Sequence, residues 1–236
     1  MVQSKRLSVI IPVYNEEKTI ASVIEIVHAW GKAKEIIIIN DGSEDQSLQA
    51  IAQFSKKITL ISLKTNKGKG YALDLGVQRS TGDIVMFLDG DIISLTFRDL
   101  DRILSPIVQG KADMVLGIPR LSNLGTFEPF NVYTGIRVMK RSDVVEMSNS
   151  WKSVGYGVEL IMNEMYKYKQ VKSVWLPFVF VLGKFDKQAL PDAVASFVKE
   201  GVDMLSQVVR DQRDLVKPRA RKVLQTVITY LQQAIS

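Results

Sequence analysis

In the stretch Ile84-Val85-Met86-Phe87-Leu88-Asp89-Gly90-Asp91, five apolar residues run into two carboxylates separated by one glycine. The apolar run, with β-branched and aromatic residues among it, suits a strand covered on both faces, as in a parallel sheet. Carboxylates at the end of a buried strand are costly unless a cation or a set of donors meets them. Residues two apart in extended backbone project to the same side, so Asp89 and Asp91 can converge on one ion. Gly90 leaves room for a ligand to approach the main chain. Hard oxygen ligands favour Mg²⁺ or Mn²⁺. The competing interpretation is a plain turn, because Asp-Gly is a common hairpin dipeptide.

Upstream, the chain alternates strands and helices. Leu7 to Val13 reads as a strand ending near Pro12, and a helix is expected from about Glu17, with Ile20, Val23, Ile24 and Val27 at helical spacing and Gly31 at its close. Glu35 to Asn40 is a second buried strand, Leu48 to Phe54 a helix and Ile58 to Leu63 a third strand. Asn66-Lys67-Gly68-Lys69-Gly70 opens a helix through Arg79; two glycines and two lysines at a helix start can hold an anion. Thr96 and Asp99 form a capping-box pattern before Leu100, Ile103 and Ile107, and Ala112 to Ile118 is a further strand. This alternation predicts an α/β fold with a mainly parallel, twisted sheet flanked by helices. In such sheets ligands bind beyond the carboxyl ends of the strands. Tyr14-Asn15-Glu16, Asn40-Asp41-Gly42 and Asp89-Gly90-Asp91 all fall there.

Downstream the pattern loosens. Pro119 to Asn131 reads as a loop, Val132 to Met139 as a strand, Val158 to Met165 as a helix and Val171 to Leu182 as a strand. The organisation expected is a catalytic domain over 1–188, with a nucleotide half at 1–118 and an acceptor half at 119–188. A C-terminal helical extension at 189–236 follows, interrupted at Pro218. Its last helix carries Val223, Leu224, Val227, Ile228, Leu231 and Ile235 on one face behind Arg219, Arg221 and Lys222. Such a face can meet the domain, a second copy in a homodimer, or an anionic bilayer.

The 236 residues, 46% hydrophobic and 24% charged, have the balance of an ordinary globular protein. With no cysteine, disulfides and thiolate metal sites are excluded and a cytoplasmic, reducing setting fits. The first apolar run is too short for a secretory signal, and none reaches the roughly 20 residues of a membrane span. Peripheral contact with the inner membrane face stays open. The net charge of +6 suits an anionic partner, but no nucleic-acid signature accompanies it. The single His28 sits in an apolar helical pattern and is expected to be structural.

Val9-Ile10-Ile11-Pro12-Val13-Tyr14-Asn15-Glu16-Glu17, Ile39-Asn40-Asp41-Gly42-Ser43, Asn66-Lys67-Gly68-Lys69-Gly70, Thr81-Gly82-Asp83 and Asp89-Gly90-Asp91 together resemble the family 2 glycosyltransferases of the GT-A fold. The likeness covers roughly residues 5–120. Gly155-Tyr156-Gly157-Val158-Glu159 is similar to the acceptor-side motif of glucosyl-phosphoglycerate synthases, and the first half is similar to polyprenyl-phosphate mannosyl- and glucosyltransferases. The resemblance implies a UDP-glucose-type or GDP-mannose-type donor and a phosphorylated or lipid-linked acceptor. It places Pro12, Tyr14 and Glu16 at base and ribose, Asp41 at the base, the Lys67–Lys69 loop nearby, and Asp89, Gly90 and Asp91 at the metal-bound diphosphate. Arg120 and Lys184 would assist the leaving phosphate, and Glu159 would act as a base or orient the acceptor. For Glu159 the plain alternative is a carboxylate favoured by a helix N-terminus.

Many similar enzymes carry a metal-binding histidine after the late strand; here Val179 to Lys187 contains none. Either aspartate, phosphate and water complete the metal's shell, or Lys184 replaces part of its charge, or activity is lost. The alternatives to a glycosyltransferase are therefore a sugar-nucleotide-binding protein without turnover and a nucleotidyltransferase. The last would want a glycine-rich basic loop after the first strand, where Pro12 to Glu16 stands.

Overall fold

The computed structural model describes residues 5–120, 134–153 and 157–181. The first half alternates as expected: β1 (Leu7–Val13), α1 (Ile20–Trp30), β2 (Glu35–Asn40), α2 (Ser47–Ala52), β3 (Thr59–Ser62), α3 (Lys69–Arg79) and β4 (Ile84–Phe87). A two-residue β5 (Ile92–Ile93), α4 (Phe97–Val108) and β6 (Met114–Arg120) follow. The second half holds β7 (Arg137–Lys140), α5 (Arg141–Ser148), a 3-10 turn (Asn149–Ser153), α6 (Val158–Met165) and β8 (Val171–Val181).

These strands form one eight-stranded sheet in the order β3-β2-β1-β4-β7-β6-β8-β5. Pairs β1–β2, β1–β4, β2–β3 and β6–β8 are parallel, and β7 runs antiparallel between β4 and β6. Strand alternation divides the core. Leu7, Val9, Ile11, Ile36, Ile38, Ile84 and Met86 pack with Ile24 of α1 and Leu100 and Ile103 of α4. Ile10, Ile37, Ile39, Val85 and Phe87 face the other way, onto Leu73 and Val77 of α3, Trp151 and Met162. Both faces of the central strands are thus covered, which is why their sequences are continuously apolar.

Several expectations need adjusting. The first helix begins at Ile20 rather than near Glu17, and the strand expected over Val132 to Met139 is confined to Arg137–Lys140 among the described residues. Helix α5 and strand β5 were not expected. The Thr96–Asp99 capping box is present: the Thr96 hydroxyl accepts from the Asp99 N–H, and the Asp99 carboxylate accepts from the Thr96 N–H, each at 3.2 Å. Lys184 and the extension at 189–236 lie outside the described residues, as do Gly155 and Tyr156. Among the described residues no helix is long and apolar enough to cross a membrane.

Candidate active site

The parallel strands β1, β2 and β4 deliver their carboxyl ends to one edge of the sheet. There the β1–α1 turn is tied to the loop after β2. The Asn15 N–H donates to the Ser43 hydroxyl at 3.0 Å, the Glu16 N–H to the Ser47 hydroxyl at 2.7 Å, and the Glu44 N–H to the Asn15 side-chain oxygen at 2.9 Å. Asn15 sits at φ 56°, a left-handed conformation that asparagine tolerates better than most residues. Pro12, Tyr14 and Glu16 are half-buried beside it.

Asp41, buried at the end of β2, accepts from the backbone N–H groups of Lys67 at 2.7 Å and Gly68 at 2.8 Å. Burial raises its pKa, against the opposing effect of those two amides and of the Lys67 charge. Gly42 follows at φ 71°, where a Cβ would stand 2.6 Å from the Thr65 backbone. Only glycine lets the two loops close to this distance. Of the Asn66 to Gly70 loop, expected to hold an anion, the Lys67 and Gly68 amides hold the protein's own Asp41 carboxylate.

At the end of β4 the turn through Gly90 is pinned by the Thr19 hydroxyl, which donates to the Gly90 carbonyl at 2.8 Å. Asp89 precedes that turn and Asp91 leads into β5, which pairs with β8. Lys69, in the first turn of α3, places its Nζ 2.6 Å from Asp89 Oδ1 and 2.8 Å from Glu159 Oε1. The Glu159 side chain is 8% exposed and comes from the first turn of α6. A merely macrodipole-stabilised glutamate would face solvent, whereas this one points into an ion pair. Burial works against the Lys69 charge, but Asp89 and Glu159 outweigh it and hold its pKa above the usual lysine value.

Beneath this group lies Arg137, 1% exposed. Its Nε donates to the Thr134 carbonyl at 2.9 Å and one terminal nitrogen to Asn163 Oδ1 at 2.7 Å. Burial pulls its pKa down to about 10, against the attraction of Glu159 and Asp89, so it remains a cation at neutral pH. The neighbouring Gly135 backbone presses on Asp89: a Cβ there would collide with both carboxylate oxygens.

The structure therefore brings Asp89 and Glu159 together on Lys69, which contacts both, with Gly90 and Asp91 next to Asp89 in the chain. Asp41 and Lys67 meet through the loop over β2. Arg120 ends β6 with its backbone opposite Phe180. Arg137, Asn163 and Gly135 escaped the sequence reading. Arg137 had left a signal, a lone cation between Ile136 and Val138 in an apolar run, since buried charge demands partners. The two aspartates, hard oxygen donors flanking one glycine, fit Mg²⁺ or Mn²⁺ in kind. Among the described residues no group of three His, Cys, Asp or Glu side chains is placed to hold an ion.

The family described as Glycosyl transferase family 2 matches residues 8–165. The chain belongs to that family. It is 38% identical over 96 residues to an undecaprenyl-phosphate 4-deoxy-4-formamido-L-arabinose transferase of Pectobacterium carotovorum, covering 37% of this chain and 29% of the relative. It is 33% identical over 102 residues to a mouse dolichyl-phosphate beta-glucosyltransferase, covering 37% and 32%. The chain thus spans about a third of the length of these curated relatives. Among solved structures, a Mycobacterium tuberculosis glucosyl-3-phosphoglycerate synthase in complex with Mn²⁺, UDP and glucosyl-3-phosphoglycerate superposes with a TM-score of 0.65. The identity is 21%, over 86% of this chain and 79% of that one. The fold is the GT-A fold that the motifs led us to expect.

Proposed function

We propose that this chain is a glycosyltransferase that moves a hexose from a UDP-glucose-type or GDP-mannose-type donor to a phosphate-bearing or lipid-linked acceptor, with Asp89 and Asp91 holding Mg²⁺ or Mn²⁺. The single feature carrying this reading is the Lys69 bridge, which joins a carboxylate of the donor-side motif to one of the acceptor-side motif. The named relatives act on polyprenyl phosphates, and the mycobacterial enzyme was captured with glucosylated phosphoglycerate, so an anionic acceptor is the common thread.

A divalent ion, when bound, supplies Lewis-acid stabilisation of the charge that builds on the leaving diphosphate. Pro12, Tyr14 and Glu16 on the β1–α1 turn, with Asp41 and Lys67, would hold base and ribose. With a hydroxyl acceptor, Glu159 would take the hydroxyl proton as that oxygen bonds to the anomeric carbon; an acceptor phosphate is already anionic, attacks without a base and would need cations beside it instead. The sugar's bond to the diphosphate breaks, and its electron pair stays on the phosphate oxygen. Lys69 holds the Glu159 carboxylate in place, and Arg120 and Lys184 would assist the leaving phosphate.

The test is calorimetric titration of UDP and GDP with and without Mn²⁺, followed by a donor and acceptor screen scored by product mass. Glu159→Gln should lose transfer by roughly a hundredfold or more, the usual scale for a general base, with donor affinity retained. Loss of donor affinity with normal turnover at saturation contradicts the role given to Glu159. Absence of both nucleotide binding and transfer in the wild type overturns the functional reading itself.

A further inference from the structure

Arg137 ties together two parts of the chain that each hold one of the site's carboxylates. On one side its Nε anchors the Thr134 carbonyl at 2.9 Å, and the next residue, Gly135, packs its backbone against Asp89. On the other side it holds Asn163 at 2.7 Å. Asn163 lies four residues beyond Glu159 on α6, hence on the same helix face one turn further along. Lys69 closes the circuit from above, bonded to Asp89 and Glu159 together.

We propose that Arg137 and Asn163 form a positioning strut, which fixes the distance between the donor-side carboxylate Asp89 and the acceptor-side carboxylate Glu159 without touching substrate. The inference rests on the glycosyltransferase reading for its kinetic consequence, but not for its structural one. Helix α6 is eight residues long, and its buried face carries Val158, Met162 and Glu159, the last held by Lys69 in the first turn; Asn163 adds a second polar anchor one turn further along. Apolar contacts such as those of Val158 and Met162 keep a helix on a sheet but constrain sliding poorly, whereas a hydrogen bond to a guanidinium is directional. Arg137 itself comes from β7, whose pairing with β4 sets Arg137 opposite Phe87, two residues before Asp89. The strut therefore refers the position of α6 to the strand that carries the metal motif. Misplacement by about 1 Å costs on the order of a hundredfold in rate, so a short link of this kind is worth keeping even far from the reacting atoms.

Asn163→Ala removes the strut while leaving Arg137 in place, and Asn163→Asp restores an acceptor. Because the chain has no cysteine, nitroxide labels placed at the exposed Glu164→Cys and Lys64→Cys report the distance between α6 and the β3 side of the sheet cleanly. The expected result is a broadened or shifted distance distribution in Asn163→Ala and a wild-type one in Asn163→Asp. In kinetics, kcat for transfer should fall roughly ten- to a hundredfold in Asn163→Ala. The donor KM and the affinity for UDP with Mn²⁺ should stay within about twofold, and Asn163→Asp should recover most of the rate. A distance distribution unchanged by Asn163→Ala overturns the strut. So does a kcat that falls only in step with the fraction of protein still binding UDP, since that is loss of folded enzyme rather than of alignment. A wild type without nucleotide binding or transfer sinks the functional reading alone, and the label distances still decide the strut.

Discussion

Replacing Lys69 with methionine keeps the length of the side chain and removes the charge from between Asp89 and Glu159. Those two side chains are 20% and 8% exposed, with contacts to the ammonium of 2.6 and 2.8 Å. Removing one partner of a buried pair costs about 3–5 kcal/mol, because the other charge is left uncompensated. Asp89 retains some contact with water and Arg137 remains beneath, so the lower end, about 3 kcal/mol, is expected here. For a chain of this size each kcal/mol moves the thermal midpoint by about 2–4 °C, giving a drop of about 6–12 °C in EDTA. Mn²⁺ at the aspartates would return part of the missing positive charge. Added Mn²⁺ should therefore raise the Tm of Lys69→Met by more than it raises that of wild type, and Lys69→Arg should lie between the two. Circular-dichroism melts with and without Mn²⁺ measure both quantities. A Lys69→Met protein that melts within about 2 °C of wild type in EDTA, or gains no more from Mn²⁺, refutes the account of Lys69 as the charge that holds the carboxylates together.

Asp91→Asn should abolish metal-dependent transfer while leaving the Tm in EDTA unchanged or higher, since it relieves repulsion between neighbouring carboxylates; full metal-dependent turnover by the variant would exclude Asp91 as a ligand. Gly135→Ala drives a methyl group against the Asp89 carboxylate. Overpacking of about 1–3 kcal/mol at that contact should weaken Mn²⁺ binding about tenfold or more, readable by calorimetry, and unaltered binding would show that the backbone yields. At the far end of the sheet, Glu35 accepts from the Ser8 hydroxyl at 2.6 Å and the Thr81 N–H at 2.6 Å. Burial pushes its pKa up, but these donors together bring it below the ordinary 4.5. A depressed carboxylate pKa stabilises the fold above the unfolded value and loses that effect as pH falls through the folded one. Wild type should therefore exceed Glu35→Gln in stability at pH 7, with the gap closing below about pH 4.5 in urea titrations. A gap independent of pH would assign the difference to shape rather than charge.

Much of the fold was legible because the central strands leave little ambiguity. Runs such as Ile36 to Ile39 and Ile84 to Leu88 have no polar alternation, and only a sheet covered on both sides buries them whole. The Thr96–Asp99 cap was legible for a different reason, since both partners lie within one turn of helix. What stayed hidden depends on contacts between distant parts of the chain. Two residues of β5 carry no periodicity, and their pairing with Phe180 and Val181 is a tertiary fact. Helix α5, Arg141-Ser-Asp-Val-Val-Glu-Met-Ser148, mixes polar and β-branched residues too evenly to announce an apolar face. The Asn66 to Gly70 loop looked like an anion cradle on local grounds, and the anion that its Lys67 amide holds is Asp41, some 26 residues earlier. At the site, Asp89, Asp91 and Glu159 came from motifs, whereas the union of two of them on Lys69 required the fold. Arg137 needed an antiparallel strand inserted between β4 and β6, an order that no local pattern encodes.

That inserted strand has a bearing on how much change the chain beside the site can absorb. Because β7 runs against both neighbours, the end of β6 at Arg120 and the approach to β7 at Thr134 lie at the same edge of the sheet, where Gly135 packs on Asp89. That approach is clasped by the Thr134 hydroxyl, which donates to the Gly117 carbonyl at 2.7 Å. The two described ends of this part of the chain are thus fixed by β6 and β7. Doubling the length of such a tethered segment adds only about 0.6 kcal/mol of closure entropy, so exchange there is thermodynamically mild. A change of length between these two anchors can therefore be absorbed while the carboxylates, their lysine and the sheet behind them stay as they are.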